Sequence, residues 1–199
     1  MRAFRASPPF MPARPVHLAL RPHAPVAYPC AIEVDLWRTA GGALALRYVL
    51  RAETARLTIP PPRAPGPADG LWRHTCFEAF VAAAGARAYR EFNFAPSGQW
   101  AAYAFRAERE RDGERQLAAA PALEVARDAD RLALEARLAA AALPTAPAGT
   151  PLHIGLTAVV EDAHGALSYW ALHHPAPQPD FHHRGGFVFE LPSIPPSES

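Results

Sequence analysis

Hydrophobic and polar residues alternate in short runs along most of this chain, which is the pattern of half-buried β-strands. In the run 43–50, every second residue from Leu44 is apolar, while Arg47 points to the opposite face. Such runs, with almost no helical periodicity, predict an all-β fold, either a sandwich or a barrel. We expect an antiparallel β-sandwich of immunoglobulin or jelly-roll type with about ten to twelve strands. The predicted strands are 16–20, 31–37, 43–50, 56–59, three within 71–106, 123–127, 131–138, 152–161, 166–172 and 186–191.

One alanine-rich stretch, 116–143, competes with this interpretation, because alanine is the best helix former. Its apolar residues nevertheless recur with period two, and Asp128-Ala129-Asp130 supplies a turn. We therefore predict a hairpin there, followed by one helical turn at 139–143. The segment 108–114 is highly charged and is expected to be a solvated loop.

The segment 71–106 predicts a three-stranded meander, with turns at 84–87 and 96–98. If the first hairpin closes through Gly85 and Ala86, Phe77 pairs with Phe94 and Glu78 with Asn93. One face is then a plausible core wall. The opposite face carries His74, Cys76, Glu78, Phe80, Tyr89, Glu91 and Asn93.

The polar face of this meander is costly to bury. Unpartnered Glu78 and Glu91 would each cost several kcal/mol, so they must face water, pair with arginine or line a site. The register of the third strand stays open. Either Tyr103 or Trp100 joins this face beside Glu91.

Length and composition set the domain organisation. The chain has 199 residues, half of them apolar, which suits one domain, predicted at 14–191. A disordered leader at 1–13 and a disordered tail at 192–199 are expected from their proline and serine content. Two cysteines make no disulfide framework and predict free thiols in a reducing compartment, so we expect a cytoplasmic protein.

The formal net charge of +1 gives no support for nucleic-acid binding or for an anionic membrane surface. No segment reaches the length that spans a bilayer. All twenty basic residues are arginine, which we interpret as a coding bias.

Three groups of residues carry candidate chemistry. Aromatic rings could stack on a pyranose, or could simply pack in the core. Glu78 and Glu91 could be a glycosidase pair, or could pair with arginines or bond a ligand. The histidine-rich loop could bind a metal, with His174, Asp180 and His182 as candidate ligands, although its spacing matches no tight signature. The candidate rings are Trp72, Trp100, Tyr103, Tyr169 and Trp170.

Three motifs resemble the DOMON-like domain family, whose relatives include family 9 carbohydrate-binding modules. They are LWRHTCFEAF at 71–80, YREFNFAPSGQWAAYAF at 89–105 and LTAVVEDAHGALSYWALHHPAPQPDFHHRGGFVFEL at 156–191. The resemblance implies a β-sandwich that binds a sugar or a haem. It assigns sugar contacts to Trp72, Glu78, Asn93 and Trp170.

The haem-binding relatives use Met and His as axial ligands. Here the two methionines lie in the leader, so a haem would need two histidines.

The leading hypothesis is a non-catalytic protein that binds a small molecule, most plausibly a carbohydrate or a sugar-containing metabolite. A haem- or metal-binding protein is the first alternative, and an enzyme acting on glycosides is the second. The predicted ligand-binding residues are Trp72, Glu78, Glu91, Asn93, Trp100, Tyr103 and Trp170.

Overall fold

The structure is a computed structural model that describes residues 14–39, 41–114 and 118–193. The predicted leader at 1–13 lies outside these ranges, as does most of the predicted tail at 192–199. Within them the chain forms thirteen β-strands and four short 3-10 turns, and no α-helix. The strands are β1 Val16–Pro22, β2 Ala31–Arg38, β3 Leu44–Arg51, β4 Gly66–Pro67, β5 Cys76–Ala83, β6 Tyr89–Phe94, β7 Gln99–Ala107, β8 Glu110–Arg111, β9 Ala122–Arg127, β10 Arg131–Leu138, β11 Leu152–Glu161, β12 Leu167–Ala171 and β13 Phe189–Leu191.

Eleven strands follow one hydrogen-bonded path, in the order β4-β7-β6-β5-β11-β12-β1-β2-β3-β10-β9. β13 adds to β11 and β8 adds to β7. The sheet curls into a half-barrel. The all-β prediction is therefore confirmed, whereas the predicted sandwich of two separate sheets is not, because β1 joins β2 and β12 into a continuous path.

The main hydrophobic core lies inside the curl of the sheet. Alternate residues of β2, β3 and β10 meet alternate residues of β5, β6 and β11 there. The Tyr48 ring of β3 stacks on Phe77 of β5 with centroids 4.9 Å apart, and its hydroxyl donates to the Glu78 carbonyl at 2.7 Å. Each large apolar side chain buried in this way contributes about 1.5–3 kcal/mol.

Both predicted hairpins are present. In β5–β6, Phe77 pairs with Phe94 and Glu78 with Asn93, and Gly85 takes the positive φ of 77° that its turn needs. The alanine-rich stretch forms the β9–β10 hairpin, so its period of two outweighs the helix propensity of alanine. A single 3-10 turn follows at Ala140–Ala142.

The predicted strand at 56–59 is wrong. A 3-10 turn occupies Thr54–Arg56, and Leu57 makes only an isolated bridge to Asp162. The Thr54 hydroxyl donates to the Asp128 carbonyl at 2.8 Å, which ties this segment to the β9–β10 turn instead of a strand ladder. Within the described ranges, no helix is long and apolar enough to cross a membrane. Both cysteines are free thiols, as predicted.

Candidate ligand-binding site

The second face of the β5–β6–β7–β11–β12 part of the sheet carries a cavity of about 510 Å³. Because side chains alternate along a strand, the residues between the core positions point here. The cavity volume is in the range of about 300–1,000 Å³ that small-molecule sites occupy.

The floor of the cavity consists of Glu78 on β5 and Glu91 on β6. Glu78 is only 2 % exposed and Glu91 only 6 % exposed. Thr157 donates its hydroxyl to Glu78 Oε2 at 3.1 Å, and Asn93 donates from Nδ2 to Glu91 Oε1 at 2.7 Å. Asn93 Oδ1 has no hydrogen-bond partner within the described part of the chain. The two carboxyl groups and Asn93 therefore form a buried polar cluster in which one acceptor oxygen, Asn93 Oδ1, is left unbonded by the described residues.

Burial sets the protonation of the floor. It raises the pKa of Glu78 well above the usual value, with repulsion from Glu91 adding to the effect and the Thr157 bond opposing it. Burial also raises the pKa of Glu91, but the Asn93 bond and the charges of Arg111 and Arg109 oppose that rise. Both carboxyl groups accordingly hold a proton more firmly than an exposed glutamate does. The floor can present a carboxylic acid donor beside a carboxylate acceptor.

One wall of the cavity is held by Tyr89, His182 and Arg109. The Tyr89 hydroxyl accepts the Arg109 backbone N–H at 3.1 Å and lies 2.7 Å from His182 Nδ1. We assign the Tyr89 hydroxyl as the donor and His182 Nδ1 as the acceptor of this hydrogen bond. The Nε2 proton of a neutral His182 then faces Glu91 Oε2 at 3.7 Å. Burial lowers the pKa of His182, with the charge of Arg109 acting in the same direction.

The rim of the cavity consists of Asp69, Gly70, Trp72, Arg73, Tyr103 and Arg111. Trp72 lies on a 3-10 turn at Leu71–Arg73 and is 49 % exposed. Tyr103 donates its hydroxyl to Asp69 Oδ1 at 2.7 Å. Guanidinium groups lie over both rings, Arg73 at 5.3 Å from the Trp72 centroid and Arg111 at 4.0 Å from the Tyr103 centroid.

Tyr169 of β12 and Phe181 also line the cavity. Their rings meet edge to face with centroids 6.0 Å apart. The cavity thus combines flat aromatic surfaces with a polar floor. This combination suits a rigid ligand that has apolar C–H faces and several hydroxyls.

Of the residues predicted from the sequence, Trp72, Glu78, Glu91 and Tyr103 line one cavity. Asn93 is fully buried and reaches it through its bond to Glu91. The open register is resolved, because Glu91 pairs with Tyr103 and Phe94 with Trp100.

Two predicted tryptophans lie elsewhere. Trp100 pairs with Phe94, so it occupies the core-side face of β7 rather than the cavity face. Trp170 is 3 % exposed in the main core and donates from Nε1 to Ser168. The physical reason is strand alternation: Trp170 pairs with Ala158 on the core face, which turns its neighbour Tyr169 toward the cavity.

The candidate metal ligands are dispersed. His174 contacts the Arg21 carbonyl through Nε2 at 2.9 Å, and Asp180 pairs with Arg109 at 2.7 Å. His182 contacts Tyr89, as described above. Within 14–39, 41–114 and 118–193, no three His, Cys, Asp or Glu side chains are grouped to hold a metal ion.

Sequence reasoning missed several contributors to the cavity. The segment 108–114, predicted as a solvated loop, supplies Arg109 and Arg111 to the lining. Arg109 has φ 58°, an uncommon value outside glycine. No periodicity marks such a residue, and its contact with Asp180, 71 positions away, requires the fold. Asp69 was missed for the same reason, since it accepts a hydrogen bond from Tyr103, 34 positions away.

Comparison with known proteins shows the fold. No protein-family profile matches the sequence, and neither does any curated protein. The structure is similar to that of "a putative carbohydrate-binding protein" from Bacteroides uniformis, with a TM-score of 0.67 at 14 % identity over 89 % of this chain and 86 % of that one.

It is also similar to a family 9 carbohydrate-binding module from Caldicellulosiruptor kristjanssonii. The complex of that module with glucose gives a TM-score of 0.64 at 11 % identity, over 98 % of this chain and 95 % of that one. The complex with cellotriose gives 0.63 at 12 % identity, over 97 % and 92 %. The half-barrel sheet of this chain is thus similar to the fold of a family 9 carbohydrate-binding module.

Proposed function

We propose that this protein binds a carbohydrate, or a metabolite that contains a sugar, in the cavity over Glu78 and Glu91, and that it binds without catalysis. The observation that carries the proposal is that these two buried carboxyl groups and several aromatic side chains line the same open cavity. The three solved structures of similar fold support it, because two of them hold sugars. We also infer a distant relationship to DOMON-like domains, on the three motifs given above.

Each part of the cavity has a role in this proposal. Trp72 and Tyr169 offer ring faces for the C–H surface of a pyranose. The floor offers a donor and an acceptor to neighbouring hydroxyls, and Asn93 holds Glu91 in place. A site built to bond hydroxyls in this way discriminates strongly against ligands that lack them.

Thermal-shift and calorimetric titration of the purified full chain with glucose, cello-oligosaccharides and nucleotide sugars test the proposal. A sugar at a hundredfold its Kd should stabilise the protein by about 2.7 kcal/mol. Trp72→Ala should weaken binding about tenfold, and Glu91→Gln about ten- to a hundredfold.

Trp100→Phe is the matched control, because Trp100 lies on the opposite face of β7. It should bind sugar like the wild type. Unchanged affinity in both Trp72→Ala and Glu91→Gln would contradict the proposed site.

A glycoside-cleaving function is the second candidate, and the same two carboxyl groups favour it. Glycosidases use a protonated acid beside a carboxylate, and the floor can provide both. Turnover of aryl glycosides by the wild type, lost in both Glu78→Gln and Glu91→Gln, would establish it. Binding of sugar without turnover is the result that we expect.

A further inference from the structure

The charged residues of the cavity are separated by depth. The floor acids Glu78 and Glu91 are buried, whereas the guanidinium groups of Arg73, Arg109 and Arg111 lie at the exposed edge. A neutral sugar would need hydroxyl partners, which the floor supplies. It would not need several cations at the mouth of the cavity.

These arginines differ in how far their own neighbours neutralise them. Arg109 forms an ion pair with Asp180 at 2.7 Å. Among the described residues, Arg111 has one carboxylate within 4.0 Å, that of Asp69, and the same oxygen accepts the Tyr103 hydroxyl bond. The Arg73 guanidinium makes no hydrogen bond or ion pair with the described residues, and it lies over the Trp72 ring. Two guanidinium groups are therefore available to an external partner.

Both available groups are oriented by aromatic rings. Arg73 lies over Trp72 and Arg111 over Tyr103, and both side chains line the same cavity as Asp69. A guanidinium stacked on a ring keeps its planar edge of N–H donors free. Such an edge bonds carboxylate or phosphate through two parallel hydrogen bonds.

We propose that the ligand is an anionic sugar, a sugar phosphate or a sugar acid, whose charged group is bound at the rim by Arg73 and Arg111. Its hydroxyls then reach Glu78 and Glu91 on the floor. This inference rests on the proposed function, since it names the class of sugar that the same cavity takes.

Asp69 is the one carboxylate among the rim residues, so its charge bears directly on an anion bound there. Its side chain is 87 % exposed, and it would repel an anionic group. Asp69→Asn removes that charge while keeping the oxygen that accepts from Tyr103. The variant should therefore raise the affinity for an anionic sugar.

Calorimetric titration of the full chain with glucose, glucose 6-phosphate, glucuronate and inorganic phosphate tests the inference. We expect one or both anionic sugars to bind at least about tenfold more tightly than glucose at low salt, with the difference shrinking at high salt. The comparison of glucose 6-phosphate with glucuronate shows whether the rim prefers a phosphate or a carboxylate. Arg73→Met and Arg111→Met should each reduce the ratio of anionic to neutral affinity about tenfold, and Asp69→Asn should increase it.

The outcomes are distinguishable. Equal affinity for glucose and both anionic sugars, insensitive to salt and to these three variants, would overturn the inference while leaving the proposed function intact. Inorganic phosphate binding as tightly as glucose 6-phosphate would also overturn it, because the sugar would then contribute nothing. Failure of every sugar to bind would remove the proposed function itself.

Discussion

The two faces of strand β5 follow different rules although they alternate along one peptide. Phe77, Ala79 and Val81 face the curl of the sheet and are completely buried among apolar side chains. Glu78 lies between them in sequence and faces the cavity, where it is almost as buried but is surrounded by polar groups. Burial therefore stabilises the fold on the core face, whereas on the cavity face burial of the Glu78 carboxyl group costs stability.

This contrast indicates where the chain gives up stability. A buried carboxyl group in a β-strand is costly, and an apolar residue of similar size would remove that cost. Local choices that conflict with stability are expected at functional sites. The second face of the sheet is such a place, and the variants below compare it with the core face.

The largest expected difference is between two tryptophans. Trp170→Ala should lower the free energy of unfolding by about 3–5 kcal/mol, because it leaves a cavity in the main core. Trp72→Ala should change it by about 0.5 kcal/mol or less, since half of that residue is exposed. Urea denaturation measures both values. A similar loss of unfolding free energy in the two variants would contradict the assignment of Trp170 to the core and of Trp72 to the cavity rim.

Glu78→Gln should change how stability depends on pH. The pKa of Glu78 is raised in the folded state from its ordinary value of 4.5, so the folded protein holds the proton more tightly than the unfolded chain does. The contribution of Glu78 to the free energy of unfolding is then fully present below pH 4.5 and is lost as pH rises through the folded-state pKa. Glutamine cannot ionise, so the variant should be more stable than the wild type by about 1–3 kcal/mol at pH 8 and nearly equal to it at pH 4.

The matched control for this experiment is Glu33→Gln on β2. Its carboxylate is exposed and makes only a 3.5 Å pair with Arg51, so it should change stability little at either pH. A wild-type stability that rises between pH 5 and 8, unaltered in the Glu78 variant, would contradict the assigned protonation of the floor.

A smaller effect is expected at the wall of the cavity. Tyr89→Phe deletes a hydroxyl that contacts both the Arg109 backbone and His182, so it should cost about 1 kcal/mol. Tyr169→Phe is the comparison, because the Tyr169 hydroxyl makes no hydrogen bond to the described residues. It should leave the unfolding free energy unchanged in thermal denaturation. Equal effects in both variants would show that the wall is not held by this network.

Much of the fold was predictable because strand periodicity and turn chemistry act locally. The pairing of Phe77 with Phe94 follows from a turn at Gly85 and a period of two, and the structure has it. The continuous path of the sheet was not predictable, since it depends on β1 pairing with β12, over 145 residues away in the chain. No local pattern encodes that contact.

The candidate site was likewise predictable only in part. Glu78, Glu91 and Asn93 share a face by alternation within one hairpin, so the sequence was enough to group them. A local turn at Asp162–Ala166 fixes the register of β12 on β11, but choosing Tyr169 over Trp170 also needed the knowledge of which face of that hairpin lies on the core. Asp69, Arg109 and Arg111 come from loops and a short strand, whose positions depend on distant contacts.

The most direct test of the central claim is a crystal structure of the protein soaked with a sugar that stabilises it. The account predicts sugar density over Glu78 and Glu91, with a ring face against Trp72 or Tyr169. Sugar bound at another surface while this cavity stays empty would contradict it.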